Sequence, residues 1–173
     1  MENQANSKNI ILNYGLYLGL IGAIVHLTLW ATGNAIELQW LNTLISLAAT
    51  IAFIILGIKK FKSDNGGFMS WSQGLKIGMG IVMISAVIAI VYTLLFMNVI
   101  DPNFQEHAMS IQEQAWADQG LSSDQIESAK EMTKKFQGPV ILSVVILAWS
   151  AFVGFVISAI TSAVMKKTEE DQY

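Results

Sequence analysis

Residues 139–165 read PVILSVVILAWSAFVGFVISAITSAVM, 27 positions without a Lys, Arg, Asp or Glu. As a helix rising about 1.5 Å per residue, the stretch is roughly 40 Å long, more than the roughly 30 Å hydrocarbon core of a bilayer. Three further stretches share its character: 10–33, 38–58 and 77–100, with 24, 21 and 24 residues, none carrying those four residue types. Together the four hold 96 of the 173 residues, so all 23 charged side chains fall in the other 77. An overall hydrophobic fraction of 53% conceals that partition. The partition predicts an all-α, four-helix transmembrane bundle in a single integral membrane domain, 1–173, and excludes a soluble enzyme, a nucleic-acid-binding domain and a secreted disulfide scaffold.

The remaining composition narrows the chemistry. There is no Arg, so bidentate guanidinium recognition of phosphate or carboxylate is absent. There is no Cys, which removes disulfides, thiol nucleophiles and thiolate metal sites. Ala31-Thr32-Gly33 resembles a signal-peptide cleavage site, but the apolar stretch before it is longer than the roughly 7–15 residues of a signal core, so an uncut first span is expected.

Lysines set the expected orientation. The segment 59–76 carries Lys59, Lys60, Lys62 and Lys76 against one acid, Asp64, and Lys166 and Lys167 follow the fourth span directly. The segment 101–138 carries three lysines and seven acids, a net charge of −4. Positive loops stay in the cytoplasm. Both termini are therefore expected inside, with 59–76 an inner basic loop and 101–138 an outer segment. Trp30 and Trp40 fall at the outer interface and Trp71 at the inner one.

The outer segment has helical periodicity. Asp101-Pro102 stops or kinks the third span. Phe104, Ala108, Ile111 and Ala115 recur at spacings of four, three and four, one face of a helix that Gly120 then breaks. Leu121-Ser122-x-x-Gln125-Ile126 has the form of a capping box with a hydrophobic staple, which predicts a second helix from Ser123 to about Phe136. The result is an amphipathic helical hairpin with an acidic surface. Its thin apolar stripe, with Trp116, is expected to rest on the membrane, the spans or a partner. At the inner connection Asp64-Asn65-Gly66-Gly67 is turn chemistry, and Ser70 or Ser72 suits the cap of the third helix.

Candidate chemistry inside the spans is sparse. Gly15, Gly19, Gly22, His26 and Gly33 share one face of the first helix, so His26 is expected to meet another helix rather than lipid. By the helical rise His26 lies about 10 Å below the outer end, Asn42 and Ser46 about 6 and 12 Å, Tyr92 and Thr93 about 12 and 10 Å, and Ser143 about 6 Å. These six form a candidate polar layer. An intramembrane histidine is either a proton- or ligand-sensing group or a neutral hydrogen-bonding link between helices. The link is favoured, because no second acid or base occurs in any span.

Other signals favour packing. Ser150, Gly154, Ser158 and Ser162 run at i+4 spacing, and Gly74 and Gly78 form one Gly-x-x-x-Gly. The run Gly74 to Gly80 lacks the glycine spacing and preceding strand of a nucleotide loop. His107 with Glu106 and Glu113 has no second histidine, so a solvated helix face is favoured over a metal site. Lys59, Lys60, Lys62 and Lys76 are expected to contact lipid headgroups, each contributing on the order of 1 kcal/mol near an anionic leaflet. No catalytic residue, metal site or cofactor is expected.

The turn Gly57-Ile58-Lys59…Asp64-Asn65-Gly66-Gly67-Phe68-Met69-Ser70-Trp71…Gly74-Leu75-Lys76-x-Gly78, four spans and a polar helical segment before the last one together resemble a bacterial membrane-protein family. It is the domain of unknown function 4199, found largely in Bacteroidota, and the resemblance covers about residues 8–167. It implies an inner-membrane location and supplies no activity, cofactor or site residue. The residues themselves favour a noncatalytic membrane protein whose outer hairpin and small-residue faces contact membrane-protein partners or further copies of the chain. A small transporter or channel subunit built around the polar layer is the alternative. Membrane lipids are expected partners, nucleic acid is not.

Overall fold

Backbone that crosses hydrocarbon must satisfy its own hydrogen bonds, and an uncharged stretch of more than 20 residues does so as a helix. The computed structural model describes residues 6–168. It contains α1 (Ser7–Ala31), α2 (Gln39–Asp64), α3 (Trp71–Leu95), α4 (Phe104–Asp118), α5 (Ser123–Phe136) and α6 (Pro139–Met165). The fold is all-α, and α1, α2, α3 with its continuation to Ile100, and α6 are long and apolar enough to cross a membrane. The ends of the 1–173 domain reading, 1–5 and 169–173, lie outside the described residues.

The helices outrun the charge-free stretches. α2 continues through Lys59, Lys60 and Lys62 to Asp64, so the basic loop read as 59–76 contracts to residues 65–70. Lysine is a good helix former, and nothing interrupts the ladder before Asn65-Gly66-Gly67. Gly66 and Gly67 then take φ of +64° and +88°, which side chains disfavour. Ser70 starts α3 with a reciprocal cap: its Oγ accepts from the Gln73 backbone N–H at 3.2 Å, and Gln73 Oε1 accepts from the Ser70 N–H at 2.8 Å. At its other end α3 loosens into one π turn, Phe96–Ile100, closed by the Asp101 N–H donating to the Phe96 carbonyl at 2.8 Å.

The chain forms two compact units. One takes the residues up to Ala89 and those from Leu147 onward; the other is Ile90–Ile146. In the first, α3 is the hub. Lipid tails are as apolar as side chains, so close van der Waals fit rather than escape from water holds spans together. Small residues provide that fit on every side of α3. Against α6, Gly78 seats Ser158 and Gly74 seats Ser162, and Gly154 in turn receives Val82. Against α1, Gly15 and Gly19 lie on Ile84 and Ile88, and Gly80 on Ile11. Against α2, Gly57 lies on Ile81. The core of this unit comprises Ile10, Leu18, Ile54, Ile58, Phe61, Met69, Ile77, Ile81 and Val82.

The second unit carries the hairpin. Its anchor is Phe96 of the π turn, buried to 2% exposure between Tyr92, at 5.9 Å between ring centroids, and Phe104, edge-on at 5.2 Å. α4 and α5 pack on each other, joined by the Glu113–Lys130 ion pair at 2.7 Å. Gly120 turns the chain at φ +84°. The predicted capping box is present in full and α5 runs Ser123–Phe136, as the sequence pattern indicates.

Candidate functional site

Three sets of side chains are candidates, and each is built differently. The first is the lysine end of α2, α3 and α6. The structure divides the four lysines read as headgroup contacts. Lys62 reaches across to α6 and donates to the Met165 carbonyl at 2.8 Å, one of the carbonyls that a helix C-terminus leaves without an intrahelical donor. Lys60 pairs with Asp64 at 2.8 Å, one turn on in the same helix. Lys59 and Lys76 are exposed, and so are Lys166 and Lys167. Around them the 65–70 turn is fastened to the segment after α6. The Met69 N–H donates to the Lys167 carbonyl at 2.8 Å and the Lys167 N–H to the Met69 carbonyl at 3.0 Å. The Lys167 ammonium stands 5.6 Å from the Phe68 ring centroid, and the Trp71 indole N–H donates to the Ala159 carbonyl at 3.1 Å. Asn65 closes its own turn by donating to the Phe68 carbonyl at 2.9 Å. The cross-links of this collar escape the sequence pattern because Met69 and Lys167 are 98 positions apart.

The second set is the polar layer. His26, Asn42 and Ser46 belong to the first unit and are half-buried. The small-residue face of α1 is tight at Gly15 and Gly19, both buried, but a methyl at Gly22 would meet nothing within 4 Å. Within the first unit the glycine seats of α1 on α3 are thus at Gly15 and Gly19. Gly33 itself belongs to the turn after α1, at φ +77°. Asn42 Oδ1 is buried, and among the described residues no donor reaches it. Tyr92, Thr93 and Ser143 belong to the second unit. Ser143 donates to its own Pro139 carbonyl at 2.7 Å, so that hydroxyl is satisfied inside α6. The serine and glycine ladder of α6 is a packing face: Ser158 and Ser162 are fully buried against α3 glycines.

The third set is the hairpin surface. The expected stripe of Phe104, Ile111 and Trp116 is split. Phe104 and Trp116 are half-covered, Ile111 remains 41% exposed, and the buried apolar side chain of α4 is Met109, which shares the Trp116 side and lies off the Phe104–Ile111 line. The four-three-four spacing marks one face, but α4 is covered on two: Phe104 meets Phe96, and Gln105 on the adjacent arc donates to Met97 Sδ at 3.6 Å. On α5, Met132 and Phe136 are 63% and 56% exposed. The Lys130 ammonium is held above its ordinary pKa by its hydrogen bond to Glu113. His107 and Glu106 are exposed, and among the described residues no three His, Asp or Glu side chains converge as metal ligands.

The sequence pattern of the family described as Protein of unknown function (DUF4199) matches residues 13–167. No curated protein and no solved structure matches the chain.

Proposed function

The chain belongs to the DUF4199 family, and we propose from its own geometry that it is a noncatalytic integral membrane protein whose α4–α5 hairpin binds a membrane-protein partner or a second copy of the chain. The observation that carries this is Ile111. It stays exposed on a face it shares with His107, Gln114 and Asp118, while on the same helix Met109 is buried and Phe104 and Trp116 are half-covered. The helix is held at its base by Phe96 and tied to α5 by Glu113–Lys130, so its placement does not depend on Ile111 alone. The small-residue faces, the other surfaces considered for partners, are occupied within the first unit at Gly74, Gly78, Ser158 and Ser162.

Localisation in a bacterial inner membrane, with both termini cytoplasmic, is part of the same proposal. The lysine-rich collar and the net −4 of residues 101–138 support it through the positive-inside rule. Lys59 and Lys76 are then available to lipid headgroups, whereas Lys60 and Lys62 are engaged within the chain.

The test is a photo-crosslinker at Gln114 in native membranes. The reading requires a defined adduct, either twice the chain mass or one heterologous protein, that disappears when Ile111→Asp is added. An adduct indifferent to Ile111→Asp, or none, refutes it. The transporter reading is favoured by a separate observation, the unpartnered Asn42 Oδ1 in a membrane-crossing helix. It requires that Asn42→Leu abolish a solute flux while leaving the folded protein in the membrane.

A further inference from the structure

The geometry points to a lipid-docking face on α5: Met132 and Phe136 insert into the headgroup layer of the leaflet that α6 enters. At 100° per residue Met132, Phe136, Ala129, Thr133 and Ile126 occupy one side of α5, while Asp124, Glu127 and Glu131 centre about 170° away. Ile126, Ala129 and Thr133 are half-buried, which accounts for one edge of the apolar side. Met132 and Phe136, one turn apart at its other edge, are left uncovered at 63% and 56% exposure.

Chain continuity says what covers them. α6 begins at Pro139, and its first apolar side chains, Val140 at 76% and Val144 at 59% exposure, already face outward as lipid-contacting residues do. From Phe136 to Val140 the chain spans at most about 14 Å. The headgroup region of one leaflet is roughly 5–8 Å deep. Phe136 therefore lies within reach of the interface, and Lys134 and Lys135 beside it close the last turn of α5, where cationic charge also suits the helix C-terminus. An apolar edge with lysines at the membrane-proximal end suits a helix lying in the headgroup layer, and the acidic far side suits water. The docking uses residues distinct from Ile111 and holds whether or not α4 binds a partner.

The chain contains no cysteine, so single-cysteine variants report one position each. Met132→Cys and Phe136→Cys, with Asp124→Cys and Glu131→Cys as references, are spin-labelled in the full chain in phosphatidylethanolamine–phosphatidylglycerol vesicles. Collision with lipid-dissolved oxygen is compared with collision with a water-soluble nickel chelate. All four sites are exposed, so the fold tolerates the label. At 132 and 136 the oxygen-to-nickel ratio should be severalfold higher than at 124 and 131. Equal ratios at all four sites mean that α5 stands in water and overturn the proposal. Low accessibility to both reagents at 132 and 136 means that protein covers them, which also overturns it.

Discussion

Gly78→Ala adds one methyl where α3 meets α6, and the structure fixes what that methyl encounters. It would overlap Ser158 Oγ, lie 2.7 Å from Ser158 Cβ and 3.2 Å from Ile54 Cγ2. Ser158 and Ile54 are both at 0% exposure, so neither has room to turn away and the helices must separate. Overpacking of this kind costs about 1–3 kcal/mol, and the upper half of that range is expected here. A loss of about 2–3 kcal/mol lowers the folding equilibrium constant roughly 30- to 150-fold. Equilibrium unfolding in mixed micelles by added denaturing detergent, followed by circular dichroism, measures it. Gly22→Ala is the matched control: it too sits within a helix, but the methyl meets nothing within 4 Å. Alanine is the better helix former, so that variant should gain about 0.5–1 kcal/mol. The same substitution thus takes opposite signs a few turns apart on neighbouring helices. Ser158→Gly removes the atoms Gly78→Ala strikes, so the double variant should recover most of the loss. Equal effects of Gly78→Ala and Gly22→Ala, or no rescue by Ser158→Gly, would refute the reasoning.

Ser158→Ala should be neutral or mildly stabilising in the same assay, because the Ser158 hydroxyl is buried with no hydrogen-bond partner among the described residues; a loss above about 1 kcal/mol would reveal a partner it needs. Lys62→Met removes the cation that caps α6 and should cost about 1 kcal/mol, seen as faster backbone hydrogen exchange at Met165 and Lys166. Ser122→Ala dismantles the capping box and should cost α5 about 1 kcal/mol, read as lost protection at Gln125 and Ile126. The Lys130 pKa is raised in the fold, so the Glu113–Lys130 contribution is complete below the ordinary lysine value. It disappears as pH rises through the higher folded value, above about 10.5. Thermal unfolding of the hairpin should weaken across that alkaline window in the native chain and not in Glu113→Gln.

What the sequence displays and what it hides follow from the range of the interactions. Four charge-free stretches, the Ser122–Gln125 capping box and the Gly120 break are local signals, each decided within a few residues, and each appears in the structure at its expected place. The end of α2 differs because hydrophobicity ends at Lys59 but the helix does not: lysine continues a helix readily and only Asn65-Gly66-Gly67 stops it. Met109 escaped because α4 has two covered faces, and a single periodicity describes one. Depth follows from residue count, but hydrogen-bond partnership does not, and Ser143 satisfies itself within α6.

The division of labour among small residues has a further consequence for motion. In the first unit the buried positions lie at Ile10–Gly19 on α1, Ile54–Phe61 on α2, Met69–Ala86 around α3, and Gly154–Ser162 on α6, all towards the lysine collar. None is buried between Gly22 and Ala31 of α1 or between Gln39 and Phe53 of α2. In a bilayer the attraction between helices comes from close packing, so the free energy holding this unit together is concentrated at the collar end. Local opening follows the density of buried contacts, and the His26 turn of α1 and the Asn42 turn of α2 should open at lower free energy than the turns at Gly15 and Ile58. Hydrogen exchange in lipid nanodiscs resolves the gradient along each helix: protection should rise from residue 28 back to residue 15 on α1, and from residue 42 forward to residue 58 on α2. Flat protection along both helices would mean that lipid contact alone stabilises them, and that the glycine–isoleucine seats on α3 contribute little.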